Sequence, residues 1–179
     1  MLTKGLDLPY LSLVGIVNAD TSLYFPDYTA EERTFQLLNQ VIGRVGRGHR
    51  EGTIIVQTYQ PQSSTITSAL AKNYDQFYSD QLQQRQQFSY PPFSFMLKLT
   101  CTRKTQKTAQ SASLKLLEKL QKLNLPIEII GPAPAFQEKI NNNYRWQLII
   151  KSTRRPHLTK IINQLPAQWS YDIDPSHLL

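Results

Sequence analysis

The apolar run LSLVGIVNA, residues 11–19, is too short for a buried helix and rich in β-formers, so it predicts an interior strand of a parallel sheet. A polar loop, DTSLYFPDY, follows. Residues 29–43, TAEERTFQLLNQVIG, then set Phe35, Leu38, Val41 and Ile42 at helical spacing behind Thr29 and Glu32. Thr29 and Glu32 have the Ser/Thr-x-x-Glu spacing of a capping box, which predicts a helix starting there and stopping in the glycines from Gly43 to Gly48. The β-branched TIIVQTY of residues 53–59 predicts a second strand, and strand, helix, strand is the order of an α/β unit. Residues 63–88 are polar and helical in pattern, and their glutamine-rich DQLQQRQQF reads as a solvated helix face. Tyr90-Pro91-Pro92 marks a boundary, because the residue before a proline is pushed out of the α region.

Beyond that boundary the period changes. FSFMLKLTC alternates as a strand, residues 105–123 follow as a helix, PIEIIG as a strand, GPAPA as a turn, YRWQLIIKS as a strand, RPHLTKIINQL as a helix and WSYDID as a last strand. The order βαββαβ is that of an α+β ferredoxin-like sandwich, with helices on one face of an antiparallel sheet. At ~100° per residue, Ala109, Ala112, Leu116, Leu117, Leu120 and Leu123 fall in one arc of the first of these helices. Lys104, Lys107, Lys115, Lys119 and Lys122 fall in another, and Leu114 fits neither role.

Composition adds an asymmetry. The net charge is +7, yet residues 1–97 hold 7 Lys/Arg against 8 Asp/Glu while residues 98–179 hold 13 against 5. A basic half beside a neutral half predicts a polyanion-binding module, with nucleic acid as the first candidate. Cys101 is the only cysteine, so an intramolecular disulfide and a cysteine-rich zinc site are both excluded within this sequence, and its apolar setting predicts an inert core thiol. His49, His157 and His177 lack metal-ligand spacing, so no metal site is expected. No stretch approaches ~18 consecutive apolar residues and the N-terminus lacks a secretion signal, which predicts a soluble, cytoplasmic protein.

The candidate chemistry sits in QVIGRVGRGHREG, residues 40–52, which places three of the chain's 7 glycines in six residues among Arg44, Arg47 and Arg50. A guanidinium stays charged and offers a rigid fork of donors matched to phosphate oxygens. Two of them three residues apart, with small residues between, can aim at one phosphate. A solvated basic turn is the alternative that the residues alone leave open.

QVIGRVGR, residues 40–47, resembles motif VI of superfamily 2 helicases, and TKGLDLP, residues 3–9, resembles motif V. The stretch between them is similar to that of the bacterial replication-restart helicases, the PriA or primosomal protein N′ family. YPPF, IIGPAPA, YRWQLIIK and DIDP then follow in that family's order, so the resemblance covers nearly the whole chain. It implies part of a RecA-like lobe 2 over residues 1–62, a helical connector over 63–89 and a DNA-binding C-terminal domain over 90–179. It also implies that Arg44 and Arg47 reach the γ-phosphate of ATP and that Gln40 orders the site. Gly5 and Asp7 would lie near the nucleotide, although Asp7 equally suits a turn or a cap, and Thr3 and Lys4 would face the DNA strand. Lys115, Lys119, Lys122, Lys139, Tyr144 and Arg145 are the DNA-contact candidates of the C-terminal domain; the lysine stripe also suits a solvated face, and Trp146 suits the core better than base stacking.

The departures bound this reading. The sequence has no G-x-x-x-x-G-K-[ST] loop and no acidic Walker B segment, so ATP and Mg²⁺ would be held mostly by residues outside it. The family's zinc module is likewise absent, and Met1 falls where the family has an internal methionine, so the chain reads as the C-terminal end of a longer helicase. The partners implied are branched fork or single-strand DNA, other primosome proteins and single-strand DNA-binding protein, with no membrane. The alternative is a non-catalytic basic nucleic-acid-binding protein.

Overall fold

The computed structural model describes residues 11–45 and 52–178. The fold is mixed α/β in two compact units, Met1–Gln84 and Arg85–Leu179.

In the first unit, β1 (Leu13–Ile16) and β2 (Thr53–Val56) pair in parallel, from Leu13 opposite Thr53 to Ile16 opposite Val56. Side chains alternate across a sheet, so Val14, Ile16, Ile54 and Val56 share one face. Helix α1 (Ala30–Ile42) covers it with Phe35, Leu38 and Ile42, the residues that recur at helical spacing. The opposite face leaves Leu13, Val17, Ile55 and Tyr59 exposed.

The helix starts at the predicted place by a different device. Thr29 occupies the N-cap position but its side chain makes no capping bond. Its backbone N–H and its hydroxyl instead both donate to Asp27 Oδ1 at 2.9 Å, and Arg33 reaches the other carboxylate oxygen at 3.5 Å. The Asp27 carboxylate thus takes the N–H that a capping box assigns to the Glu32 side chain, and the hydroxyl is turned toward it as a donor.

Helices α2 (Ser64–Leu70) and α3 (Tyr74–Gln87) follow. Ile66, Ala69 and Phe77 complete the first core, and the Phe77 ring stacks on Phe35 with centroids 3.9 Å apart. The glutamine-rich run is therefore not wholly solvated. Gln81 is buried and donates to the Glu31 carboxylate of α1, which also accepts from Thr65 Oγ1 at 3.3 Å and Gln84 Nε2 at 3.4 Å. Gln81 stands one helical turn beyond Phe77, where a hydrophobic pattern would need an apolar side chain, so a polar contact replaced the signal that periodicity detects.

The second unit runs β3 (Phe95–Arg103), α4 (Gln106–Gln121), β4 (Glu128–Ile140), β5 (Asn143–Ser152), α5 (Arg155–Ile162) and β6 (Trp169–Ile173), the predicted order. Its four strands are antiparallel in the order β4-β5-β3-β6. Leu97, Leu99 and Cys101 of β3 and Trp146, Leu148 and Ile150 of β5 face the helices and pack with Ala109, Leu116, Leu120, Leu158 and Ile161. Thr105 caps α4, its hydroxyl accepting from the Thr108 N–H at 3.3 Å. Cys101 is fully buried, with its thiol 3.4 Å from Ser113 Oγ, in keeping with an inert core thiol.

GPAPA is not the turn between the second and third strands. Strand β4 continues through it, with register shifts at Ile130/Ala133 and Pro134/Lys139, and the chain reverses at Asn141 and Asn142, which have φ of 48° and 60°. Two consecutive left-handed residues are what a tight hairpin turn of the I′ type requires, and asparagine tolerates that conformation. The NNN triplet is the sequence signal for it. Gly131 remains special, since at φ of 100° a Cβ there would sit 2.9 Å from the Gln147 carbonyl oxygen.

The sheet face away from the helices carries Lys98, Thr100, Ile149 and Lys151, all buried. Lys151 Nζ donates to the Phe88 carbonyl at 2.8 Å, lies 3.7 Å from Glu128 and sits 4.2 Å from the Tyr90 ring centroid. These contacts bring the segment Phe88–Tyr90 onto that face.

Candidate functional site

Burying Leu38 and Ile42 turns the intervening Gln40 outward, and it is exposed in the last turn of α1. Arg44 follows in the turn after the helix, half-buried, with its backbone N–H donating to the Val41 carbonyl at 3.1 Å. Gly43 closes the helix in a right-handed conformation, its N–H bonded to the Asn39 carbonyl at 2.9 Å. Gln40 and Arg44 are thus four residues, about one turn, apart. Arg47, Thr3, Lys4, Gly5 and Asp7 lie outside the described residues, as do Gly46, Gly48, His49 and Arg50.

At the carboxyl ends of β1 and β2 a cavity of about 290 Å³ is lined by Val17, Asn18, Asp20, Gln57, Thr58 and Tyr59. That is the end of a parallel sheet at which α/β folds place ligands. Asp20 has no exposed surface, and it accepts from Thr58 Oγ1 at 2.6 Å and from the Tyr59 N–H at 2.8 Å. Both carboxylate oxygens are therefore spent on joining the ends of the two strands. Sequence reasoning passed over Asp20; the NAD triplet closing the first apolar run was the available signal.

The lysine stripe of α4 divides. Lys104, Lys107, Lys115, Lys119 and Lys122 are all exposed, and Lys119 Nζ also donates to the Gln164 carbonyl at 2.7 Å and ties α4 to the end of α5. Lys139 lies over the Tyr144 ring, 5.4 Å from its centroid, and Arg145 follows half-exposed on β5. Trp146 is 7% exposed within the core cluster and offers no stacking platform. Among the described residues no group of three or more His, Cys, Asp or Glu could hold a metal ion, and no helix is long and apolar enough to cross a membrane.

Residues 86–176 match the model of the primosomal protein N C-terminal domain. Over nearly the whole chain the sequence is also similar to curated proteins named replication restart protein PriA. The relative from Synechocystis sp. is 43% identical over 98% of this chain and 21% of its own length. That from Bacillus subtilis is 32% identical over 100% of this chain and 22% of its own length. That from Haemophilus influenzae is 33% identical over 92% of this chain and 25% of its own length. The chain thus spans about a fifth to a quarter of these relatives.

Proposed function

Since the chain belongs to the replication restart protein PriA family, and corresponds to its C-terminal region, we propose that it is the C-terminal part of an ATP-dependent 3′-to-5′ DNA helicase. That enzyme would recognise stalled or branched forks and start primosome assembly for replication restart. Residues 1–62 would be part of a RecA-like lobe 2, residues 63–89 a helical connector and residues 90–179 a ferredoxin-like DNA-binding domain. The parallel β1-α1-β2 arrangement supports the first assignment, and the strand order β4-β5-β3-β6, with β5 between the parallel β3 and β4, supports the last.

The observation that carries this reading is the pairing, in one chain, of a helix end presenting Gln40 and Arg44 with a separate basic α+β unit. Arg44 and Arg47 would stabilise charge developing on the γ-phosphate, and Gln40 would order the site. Gly5 and Asp7 would lie beside the nucleotide, and Thr3 and Lys4 beside the DNA strand. ATP and Mg²⁺ would be held mainly by residues outside this sequence, since guanidinium groups supply charge and donors but no ligand for a cation. Lys139, Tyr144 and Arg145 would serve DNA, branched or single-stranded. Other primosome proteins and single-strand DNA-binding protein would be its protein partners.

The purified chain is expected to bind forked DNA with a steep salt dependence and to hydrolyse no ATP. DNA-stimulated hydrolysis by this chain, abolished by Arg44→Ala, would overturn the division of labour.

A further inference from the structure

Several of the 13 Lys/Arg between residues 98 and 160 are already matched within the fold. Lys151 has Glu128 and a backbone carbonyl, Arg155 has Asp174 at 2.7 Å, and Lys119 has the Gln164 carbonyl. A second group gathers at one end of the sheet without a carboxylate paired to any of its members among the described residues. Strand β3 ends on Arg103, whose register partner is Tyr144, while Thr102 opposes Arg145. Tyr144 in turn opposes Lys139 of β4. Lys104 follows Arg103 directly, and Lys107 lies in the first turn of α4, the helix that leaves the end of β3. Arg103, Lys104, Lys107 and Lys139 therefore share one end of the second unit, and Arg145 lies at the same end on the opposite face of the sheet.

Arg103 Nη1 donates to the Thr102 carbonyl at 2.8 Å and more weakly to the Gln168 carbonyl at 3.5 Å, contacts that orient the guanidinium and leave its charge. Among the described residues none of the five forms an ion pair. Glu138 is the only acidic residue in β4–β5 beyond Glu128. Five cationic side chains without a paired carboxylate suit phosphate oxygens. Three strands span about 10 Å at ~4.8 Å spacing, enough for two or three consecutive phosphates of one strand. Lys115 and Lys122 lie roughly 12 and 22 Å further along α4 than Lys107, beyond a Debye length of about 8–10 Å at physiological salt.

We propose that this hairpin end of the sheet, built by Arg103, Lys104, Lys107, Lys139 and Arg145, is the nucleic-acid phosphate contact of the second unit, and that the distal lysines Lys115 and Lys122 lie outside it. The proposal rests on the reading that the chain binds DNA, and it adds three residues to the candidates while removing others. Contacts of this kind read backbone rather than base sequence.

The test is fluorescence anisotropy of the whole chain with a labelled oligothymidine of about 20 nucleotides, between about 50 and 200 mM salt. K104Q/K107Q/K139Q is expected to flatten the slope of log affinity against log salt by about two units, at roughly 0.7 per lost contact to a single strand. K115Q/K122Q is expected to leave the slope within about half a unit. An unchanged slope in the triple variant, or equal flattening in both, overturns the proposal while leaving DNA binding by the chain intact. No binding by the unaltered chain at the lowest salt overturns both the proposal and the reading beneath it. A polyglutamate peptide that binds the chain and loses that binding in the triple variant, while oligothymidine binding persists, would assign this end to an acidic protein and overturn it as well.

Discussion

Replacing Arg44 with alanine in a helicase that carries this chain as its C-terminal region is expected to lower ATP turnover by about 10³-fold or more while DNA affinity changes little. A finger arginine acts on charge that grows only as the phosphoryl bond breaks, and such residues supply about 10³ to 10⁵ in rate. Arg44 follows directly on a helix end that is held by packing. Leu38 and Ile42 are 3% and 6% exposed and hold the end of α1 against the parallel strands. Alanine at 44 leaves that packing untouched, so the loss should appear in turnover. Arg44→Lys should rescue little, because an ammonium lacks the fork that engages two phosphate oxygens together. Turnover falling only in proportion to DNA affinity would mean that Arg44 is a DNA contact instead.

Lys151→Ala is expected to destabilise the second unit by about 2–4 kcal/mol, read by urea unfolding through Trp146 and Trp169. The charged hydrogen bond to the Phe88 carbonyl contributes about 1.5–3 kcal/mol and the Tyr90 ring about 0.5–2, partly offset by relief of the lysine's desolvation. The Arg155–Asp174 pair is shorter, at 2.7 Å, but its side chains are 65% and 29% exposed. Solvent screening limits such a pair to about 1 kcal/mol or less, so Arg155→Ala should cost less than Lys151→Ala in spite of the shorter distance. A Lys151→Ala cost within ~0.5 kcal/mol of zero, as for an ordinary surface change, would show that Phe88–Tyr90 is held by packing alone.

The period-2 and period-3.6 patterns made the element order of the second unit legible, because each strand buries one face and each helix one stripe. Contacts that leave no periodic trace were not legible. Asp27 holding Thr29 is a local polar contact outside the helical period, and Gln81 reaching Glu31 and Asp20 joining two strand ends are polar contacts between residues whose separation in sequence gives no hint of proximity. Lys151 stands near the end of an apolar strand, and strand alternation turns it toward the face that carries Lys98, Thr100 and Ile149. GPAPA looks like a turn by composition, and only pairing with β5 shows β4 continuing to Asn141. The helical wheel of α4 likewise grouped five lysines that the fold separates, since it contains no information about the hairpin that Lys104 and Lys107 adjoin. On the candidate site, the sequence supplied residue types and the motif resemblance, and the fold supplied which cations are already neutralised.

The most direct measurement of the central claim is ATP hydrolysis by the Synechocystis relative after its matching region, 43% identical, has been exchanged for this chain. Fork-stimulated hydrolysis near that of the parent is expected, lost on Arg44→Ala in the exchanged enzyme. A folded exchanged enzyme that binds fork DNA and shows no stimulated hydrolysis would contradict it.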